Sequence, residues 1–173
     1  MVDASGKGWR VSQEQAARRV SVEDLPVPED RVRELGLDDL DRLLALWQRA
    51  GLHSLKLQGR DSRDALARQL ASGVQTILGM ESDGKLVGAV IATHDGRKGW
   101  INRLAVDPDY RRRGYAGTLI EAAERVLREQ GLRVIAALVE SDNRASLALF
   151  RRLGYVDAGG DVHYLSKRES SDA

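Results

Sequence analysis

The chain reads as an α/β (α+β) fold: a mixed, mostly antiparallel sheet with helices on both faces and a central strand–helix–strand unit. Three observations predict it. Between positions 75 and 106, three apolar runs follow one another across short Gly-containing loops, the pattern of an antiparallel meander. From Trp100 to Val139, a strand-like run, a long amphipathic stretch and a second apolar run form a βαβ unit, whose two strands are parallel. Helical stripes before the meander and after the last long strand supply cover for both faces of the sheet.

The elements follow in order. Residues 1–30 are an N-terminal extension rich in Gly, Ser, Gln and charge, closed by Pro26 and Pro28. Gln13 to Val20 has the makings of a short helix, and the segment reads either as flexible or as an arm packed on the domain. Residues 31–168 form the domain and 169–173 a solvated tail. Val32 to Leu35 is a first strand. Asp38 to Ala50 is a helix with Leu40, Leu43, Leu44 and Trp47 on one stripe and Gly51 as its stop. Asp61 or Ser62 caps a second helix that ends near Ser72, with Leu66 and Leu70 inward. The meander is Gln75–Glu81, Leu86–His94 and Trp100–Val106. Gly114 to Gln130 is the central helix, with Ala116, Leu119, Ile120, Ala123 and Leu127 at helical spacing and Gly131 behind it. Leu132 to Val139 is read as a strand buried on both faces. Asn143 to Leu153 is a helix ended by Gly154, and Val156 and Val162–Ser166 are short closing strands.

Composition removes several classes of function. With 42% hydrophobic residues the chain can build a full core, without a disulfide or metal staple. Lys plus Arg number 27 and Asp plus Glu 26, a net charge of +1, so there is no basic excess to neutralise many phosphates, and no nucleic-acid partner is expected. The absence of cysteine excludes thiol nucleophiles and Cys-based zinc sites. Three scattered histidines do not form a sequence-local metal site, and no metal is expected. No apolar run is long enough for a bilayer and the N-terminus lacks a signal-peptide core, so the expectation is a cytoplasmic protein with no membrane partner. Walker A, dinucleotide Gly fingerprint, His-Glu-x-x-His and nucleophile-elbow patterns are all missing.

The most informative segment is Leu104 to Ala116: a strand, a Pro-marked turn, Arg111-Arg112-Arg113, and a Gly that opens the long helix. Unpaired N–H groups at a helix start, with the positive end of its dipole, make an anion site. Three arginines suit it to a polyanion such as pyrophosphate. Gly114 permits close backbone approach, and Ala116 keeps the first turn uncrowded.

The spacing Arg111-x-x-Gly114-x-Ala116 after Leu-Ala-Val-Asp-Pro resembles the acetyl-CoA signature of the GNAT superfamily of acyl-CoA N-acyltransferases. A second block, Asn143-x-x-Ser146-x-x-Leu149-Phe150-x-x-x-Gly154-Tyr155, is similar to that family's Asn-x-x-Ala-x-x-Leu-Tyr-x-x-x-Gly-Phe. The loop from His94 to Trp100 looks like that of the bacterial ribosomal-protein-acetylase-like group. The resemblance covers about residues 32–166 and implies a GNAT-like sheet with a central βαβ acyl-CoA unit.

It implies roles as well. Backbone groups of Leu104 and Val106 would bond the amides of the pantetheine arm, and an N–H near Leu104 or Ala105 would hold the thioester oxyanion. The amides of Arg111, Arg112, Arg113, Gly114, Tyr115 and Ala116 would cradle the pyrophosphate, with the Arg side chains assisting. Asn143, with Ser146 and Phe150 on the same helix, would line the other side. An acetyl group would pass from acetyl-CoA, as cosubstrate, to a primary amine by direct attack: a protein N-terminus, a lysine or a small-molecule amine. The protein would be a monomer or a homodimer.

Two positions depart from the family pattern. Phe150 stands where many members carry a Tyr that protonates the leaving thiolate; Ser146, one turn earlier, is the alternative hydroxyl. Asn102 stands where relatives often have a Glu base, and an amide cannot take a proton. Glu140 is the best remaining carboxylate, and His94 a further candidate; His163 and Tyr164 fall where relatives shape the acceptor pocket. Both departures keep open an acyl-CoA sensor or partner domain with little catalysis. A regulatory module that binds nucleotide or phosphate through the Arg cluster is a third reading.

Overall fold

A computed structural model of the chain describes residues 30–52 and 55–157. The extension up to position 29, including Gln13 to Val20, the strand expected at Val162–Ser166, His163, Tyr164 and the tail all lie outside the described residues.

Strand β1 (Arg31–Glu34) leads through a 3-10 turn at Leu37–Asp39 into α1 (Leu40–Ala50), and α2 (Arg63–Ala71) follows. Then come β2 (Gln75–Ser82), β3 (Lys85–His94), β4 (Gly99–Val106), α3 (Tyr115–Glu129), β5 (Ile135–Ala137) and α4 (Arg144–Arg152). The sheet order is β1-β2-β3-β4-β5. The first three pairings are antiparallel, and β4 and β5, joined through α3, are parallel.

Two cores flank the sheet. On one face Leu40, Leu43, Leu46 and Trp47 of α1 and Leu66 of α2 pack on Ile77, Ala89, Ile91 and Ala105. On the other, Leu119, Ile120, Ala123 and Leu127 of α3, with Phe150 of α4, pack on Leu78, Val90, Ala92 and Ile101. Leu46 joins the fully buried stripe of α1, and Leu44 packs partly buried against the same core. Ser62 is the cap of α2, its side chain accepting from the Ala65 N–H at 3.2 Å; Asp61 is engaged elsewhere.

Two expectations fail at the C-terminal side. The apolar run Leu132–Val139 forms only the three-residue β5, which is half-buried, and Val134 and Leu138 are 50% and 61% exposed. Burial on both faces requires cover over both faces of the strand, and β5 is a three-residue margin of the sheet whose side chains are only half-covered. Val156 is in no strand and is 92% exposed.

The β1 edge is closed by charge. Glu81 on β2 accepts from Arg31, Arg33 and Arg42, while Asp39 at the start of α1 accepts from Arg33 and Arg42. Both carboxylates are buried. The Arg33 guanidinium, first among their partners, outweighs burial and holds each carboxyl at about 2.

Candidate active site

The site grows from a defect in β4. That strand pairs with β3 on one edge, but with β5 only at Gly99, Trp100 and Ile101. A bulge lies between the register Ile91↔Asn102 and the register Ala89↔Ala105. Before it, Ile101 faces the α3 core; after it, Leu104 and Val106 face α3 and Ala105 faces α1. Asn102 and Arg103, consecutive, both project to the α1–α2 side. Asn102 Nδ2 donates to Thr93 Oγ1 at 2.9 Å, and Arg103 donates to Asp61 at 3.0 and 2.8 Å. Arg103 has φ 51°, left-handed backbone that costs an L-residue on the order of 1 kcal/mol. The G1 type of bulge places one residue in this region, and glycine is its usual occupant.

The bulge aims the backbone. The Asp107 N–H donates to Val87 O at 2.8 Å, and Ala105 registers with Ala89. Alternation along an antiparallel pair therefore turns the N–H and C=O of Leu104 and Val106 away from β3, toward the side β5 has left. Of the two residues expected to supply an oxyanion donor, Leu104 faces the gap and Ala105 faces the ladder. The Val106 carbonyl accepts from Arg111 Nε at 3.2 Å.

The gap runs into the start of α3. After the 3-10 turn Pro108–Tyr110, capped by the Asp107 side chain on the Asp109 N–H, Arg112 (φ 64°) and Gly114 (φ 85°) are both left-handed. Left-handed residues alternating with ordinary ones turn successive N–H groups to one point. Gly114 is the N-cap and has no side chain to offer; the first intrahelical bond is Thr118 N–H to Gly114 O, at 3.2 Å. The amides of Tyr115, Ala116 and Gly117 therefore have no carbonyl one turn back, and no acidic residue sits in that turn. A Cβ at Gly114 would meet nothing within 4 Å, so its glycine answers to backbone angle, not to packing within the chain.

The arginines are arranged less uniformly than their adjacency suggests. Arg111 reaches Ala50 O at 3.0 Å, tying the loop to the end of α1. The Arg113 guanidinium lies 4.8 Å from the centre of the Tyr110 ring. All three are exposed. Tyr115 is buried, and its hydroxyl donates to Asp30 Oδ2 at 2.6 Å. Beneath the loop, burial pushes the Asp107 carboxyl up, but Arg49 at 2.8 Å brings it below the usual carboxylate range. An open cleft of about 650 Å³ on the α1 side of this loop is bordered by Arg42, Arg49, Lys85, Asp107, Tyr110 and Arg113, and does not extend to Leu104.

The second block sits on α4. Asn143 is its cap, and Oδ1 accepts from the Ser146 N–H at 3.1 Å, so this helix start is satisfied from within. Phe150 is buried, edge-on to Tyr155 with ring centres 4.9 Å apart. Tyr155, the phenol beside Phe150, donates to Glu124 Oε1 at 2.8 Å, and burial and Glu124 together push its hydroxyl well above the ordinary range. That phenol points at α3 and is poorly matched to protonating a thiolate. Glu140 is exposed beyond the end of β5, and His94 caps its own turn by accepting from the Gly96 N–H at 3.3 Å. Asn102, Leu104 and Val106 thus lie along one strand that leads into the Arg111–Ala116 loop, and His94 sits in a turn at the far end of β3. Sequence reasoning missed Arg103 and Asp61; an Arg next to the departing Asn102 was the available signal.

A sheet opened at its one parallel pair, with a glycine-started helix at its mouth, is the arrangement that the GNAT resemblance implies. The model of the acetyltransferase (GNAT) family matches residues 40–155, and the chain belongs to that family. It is 31% identical over 137 residues to an acetyltransferase of Photorhabdus laumondii, covering 79% of this chain and 94% of that one. The fold is also that of the aminoglycoside N-acetyltransferase AAC(6')-Iy in complex with the bisubstrate analogue CoA-S-monomethyl-acetylneamine: TM-score 0.68, 19% identity, 81% and 99% of the two chains. The ribosomal-protein-S18-alanine N-acetyltransferase of Escherichia coli gives a TM-score of 0.61, 24% identity and 73% and 77% cover. The protein is therefore an acetyl-CoA-dependent N-acetyltransferase, with acetyl-CoA as its cosubstrate. Among the described residues, no helix is long and apolar enough to cross a membrane.

Proposed function

We propose that the chain transfers the acetyl group of acetyl-CoA to a primary amine, held on the α1–α2 side of β4, by direct attack on the thioester. The observation that carries this is the half of β4 that β5 does not pair, leading into the Gly114 helix start. The pantetheine arm lies against Leu104 and Val106 as an added strand, displacing Arg111 from the Val106 carbonyl. The pyrophosphate takes the amides of the Arg111–Ala116 loop. The Leu104 N–H, fixed before substrate arrives, holds the thioester oxygen as it gains charge. Asn102 gives its Nδ2 to Thr93, which leaves Oδ1 to accept an N–H of the attacking amine. The amine enters neutral and loses its proton to solvent, because Asn102 cannot take it and Glu140 lies on the exposed far end of β5. The thiolate leaves without a phenol beside it; a thiol pKa of about 8.5 makes that tolerable. The acceptor is a protein N-terminus, a lysine or a small-molecule amine, and the site works in the cytoplasm in a monomer or homodimer.

CoA-thiol release from acetyl-CoA, measured with and without a panel of amines and peptides, tests the reading. Amine-dependent release is expected, and the responding amine names the acceptor class. The buried Phe150 and the amide at Asn102 favour a second reading, an acyl-CoA sensor. Phe150→Tyr separates the two: turnover rises several-fold where a leaving-group acid limits the reaction, and a sensor shows no turnover in either form.

A further inference from the structure

The ion pair between Asp61 and Arg103 is out of proportion to a surface contact. The side chains are 7% and 19% exposed, two bonds join them, and Asp61 also accepts from the Lys56 N–H at 2.8 Å. Around that carboxylate the loop before α2 is drawn into a compact knot: the N–H groups of Gly59 and Asp61 donate to Lys56 O, that of Ser62 to Gly59 O, and Gln69 Nε2 to Arg60 O. The other end of the pair is the left-handed residue of the β4 bulge, immediately before Leu104. Left-handed backbone at a residue other than glycine persists only where its surroundings over-determine it, and here the guanidinium of that same residue is what the surroundings hold.

We propose that Asp61 and Arg103 are a positioning pair that locks the bulge, so that the Leu104 amide stays turned into the gap and in register with the loop at positions 55–62. The inference rests on the function proposed above. The α3 face at this level is filled by Leu104, Val106 and the α3 core, whereas the α1–α2 face carries Asn102, Arg103 and Thr93. An acceptor amine therefore approaches past the Asp61 loop, and the pair gives the donor to the oxyanion and the wall of the acceptor site one common anchor. Neither side chain touches the reacting atoms. A misplacement of about 1 Å at such a donor lowers turnover on the order of 100-fold, a larger effect than the loss of one strand contact has on cofactor affinity.

The test uses the full chain and two variants. Asp61→Asn keeps the acceptor oxygen for Lys56 and removes the charge. Arg103→Gly accepts the left-handed angle without strain and removes the tie, so the fold survives if Asp61→Asn does not. Expected in both are kcat per folded molecule lower by about ten-fold or more, an acetyl-CoA Kd raised by a much smaller factor, and a lower backbone NMR order parameter at the Leu104 amide. A lower melting temperature with an unchanged Leu104 order parameter and unchanged kcat per folded molecule would overturn the inference. The Leu104 order parameter is read without acetyl-CoA, so it judges the lock by itself. A parent protein that fails to bind acetyl-CoA overturns the functional reading instead.

Discussion

The two edges of this sheet are finished in opposite ways. At β1, five charged side chains from three elements close on one another, and every carboxylate oxygen of Asp39 and Glu81 has an arginine partner. At β4, the strand beside it stops after three pairings, and the backbone of Leu104 and Val106 is turned into the opening. The same contrast recurs at the two helix starts nearby: α4 caps itself with Asn143, α3 starts on a glycine. Polar groups closed on one another serve stability; backbone turned into an opening, touched at Val106 only by an exposed arginine, is free to meet a ligand.

The contrast predicts that the two edges separate by measurement. The largest effect is expected from Gly114→Glu, which puts a bulky anion at the uncapped helix start in a left-handed position: acetyl-CoA affinity, by calorimetry, should fall by about 100-fold or more, with a comparatively small loss of melting temperature. Retained affinity would remove the open edge from the cofactor site. Next is Glu81→Ala at the closed edge. It strips three arginines of a buried partner and should cost about 3 kcal/mol in denaturant unfolding, yet leave acetyl-CoA affinity of the folded protein unchanged. Acid gives a milder version of that break. The carboxyls of Asp39 and Glu81 lie near about 2 in the folded chain, below their ordinary values of 3.8 and 4.5. Their contribution is complete above the ordinary values and is lost as pH falls from about 4.5 toward about 2, so stability by thermal melts should drop across that window, and less steeply in Glu81→Ala. The smallest effect is Asn143→Ala, which removes a cap: about 1 kcal/mol of stability, with acetyl-CoA affinity nearly as before. A loss of affinity as large as that of Gly114→Glu would show that α4 is not self-sufficient.

How much was legible depended on whether a signal was local. Helices and meander strands came out within a residue or two, because apolar period, Ser62, Gly51 and Gly131 are local marks. The glycine start of α3 was legible for the same reason: Gly114 and the arginines stand in one short run. The Leu132–Val139 run misled, because apolar content does not tell how far a strand extends or what covers it, and β5 is a three-residue, half-covered margin. The bulge was invisible, since its left-handed residue is an arginine where glycine would have signalled it. Asp61 was legible as a cap candidate and proved to be the partner of a residue 42 positions away, a separation that no local pattern carries. The same holds for Glu81 and its three arginines.

Strand order along the sheet follows chain order, and that has a kinetic consequence. The β2–β3 and β3–β4 pairings close over turns of a few residues, whereas β1 reaches β2 across two helices and β5 reaches β4 across α3. Short loops close first and long ones late. The middle of the sheet then pairs first, and its margins, β1 and the seam where β4 and β5 part, pair later. On the placement proposed above acetyl-CoA bridges that seam, so its occupancy should slow the rate of unfolding more than it speeds refolding.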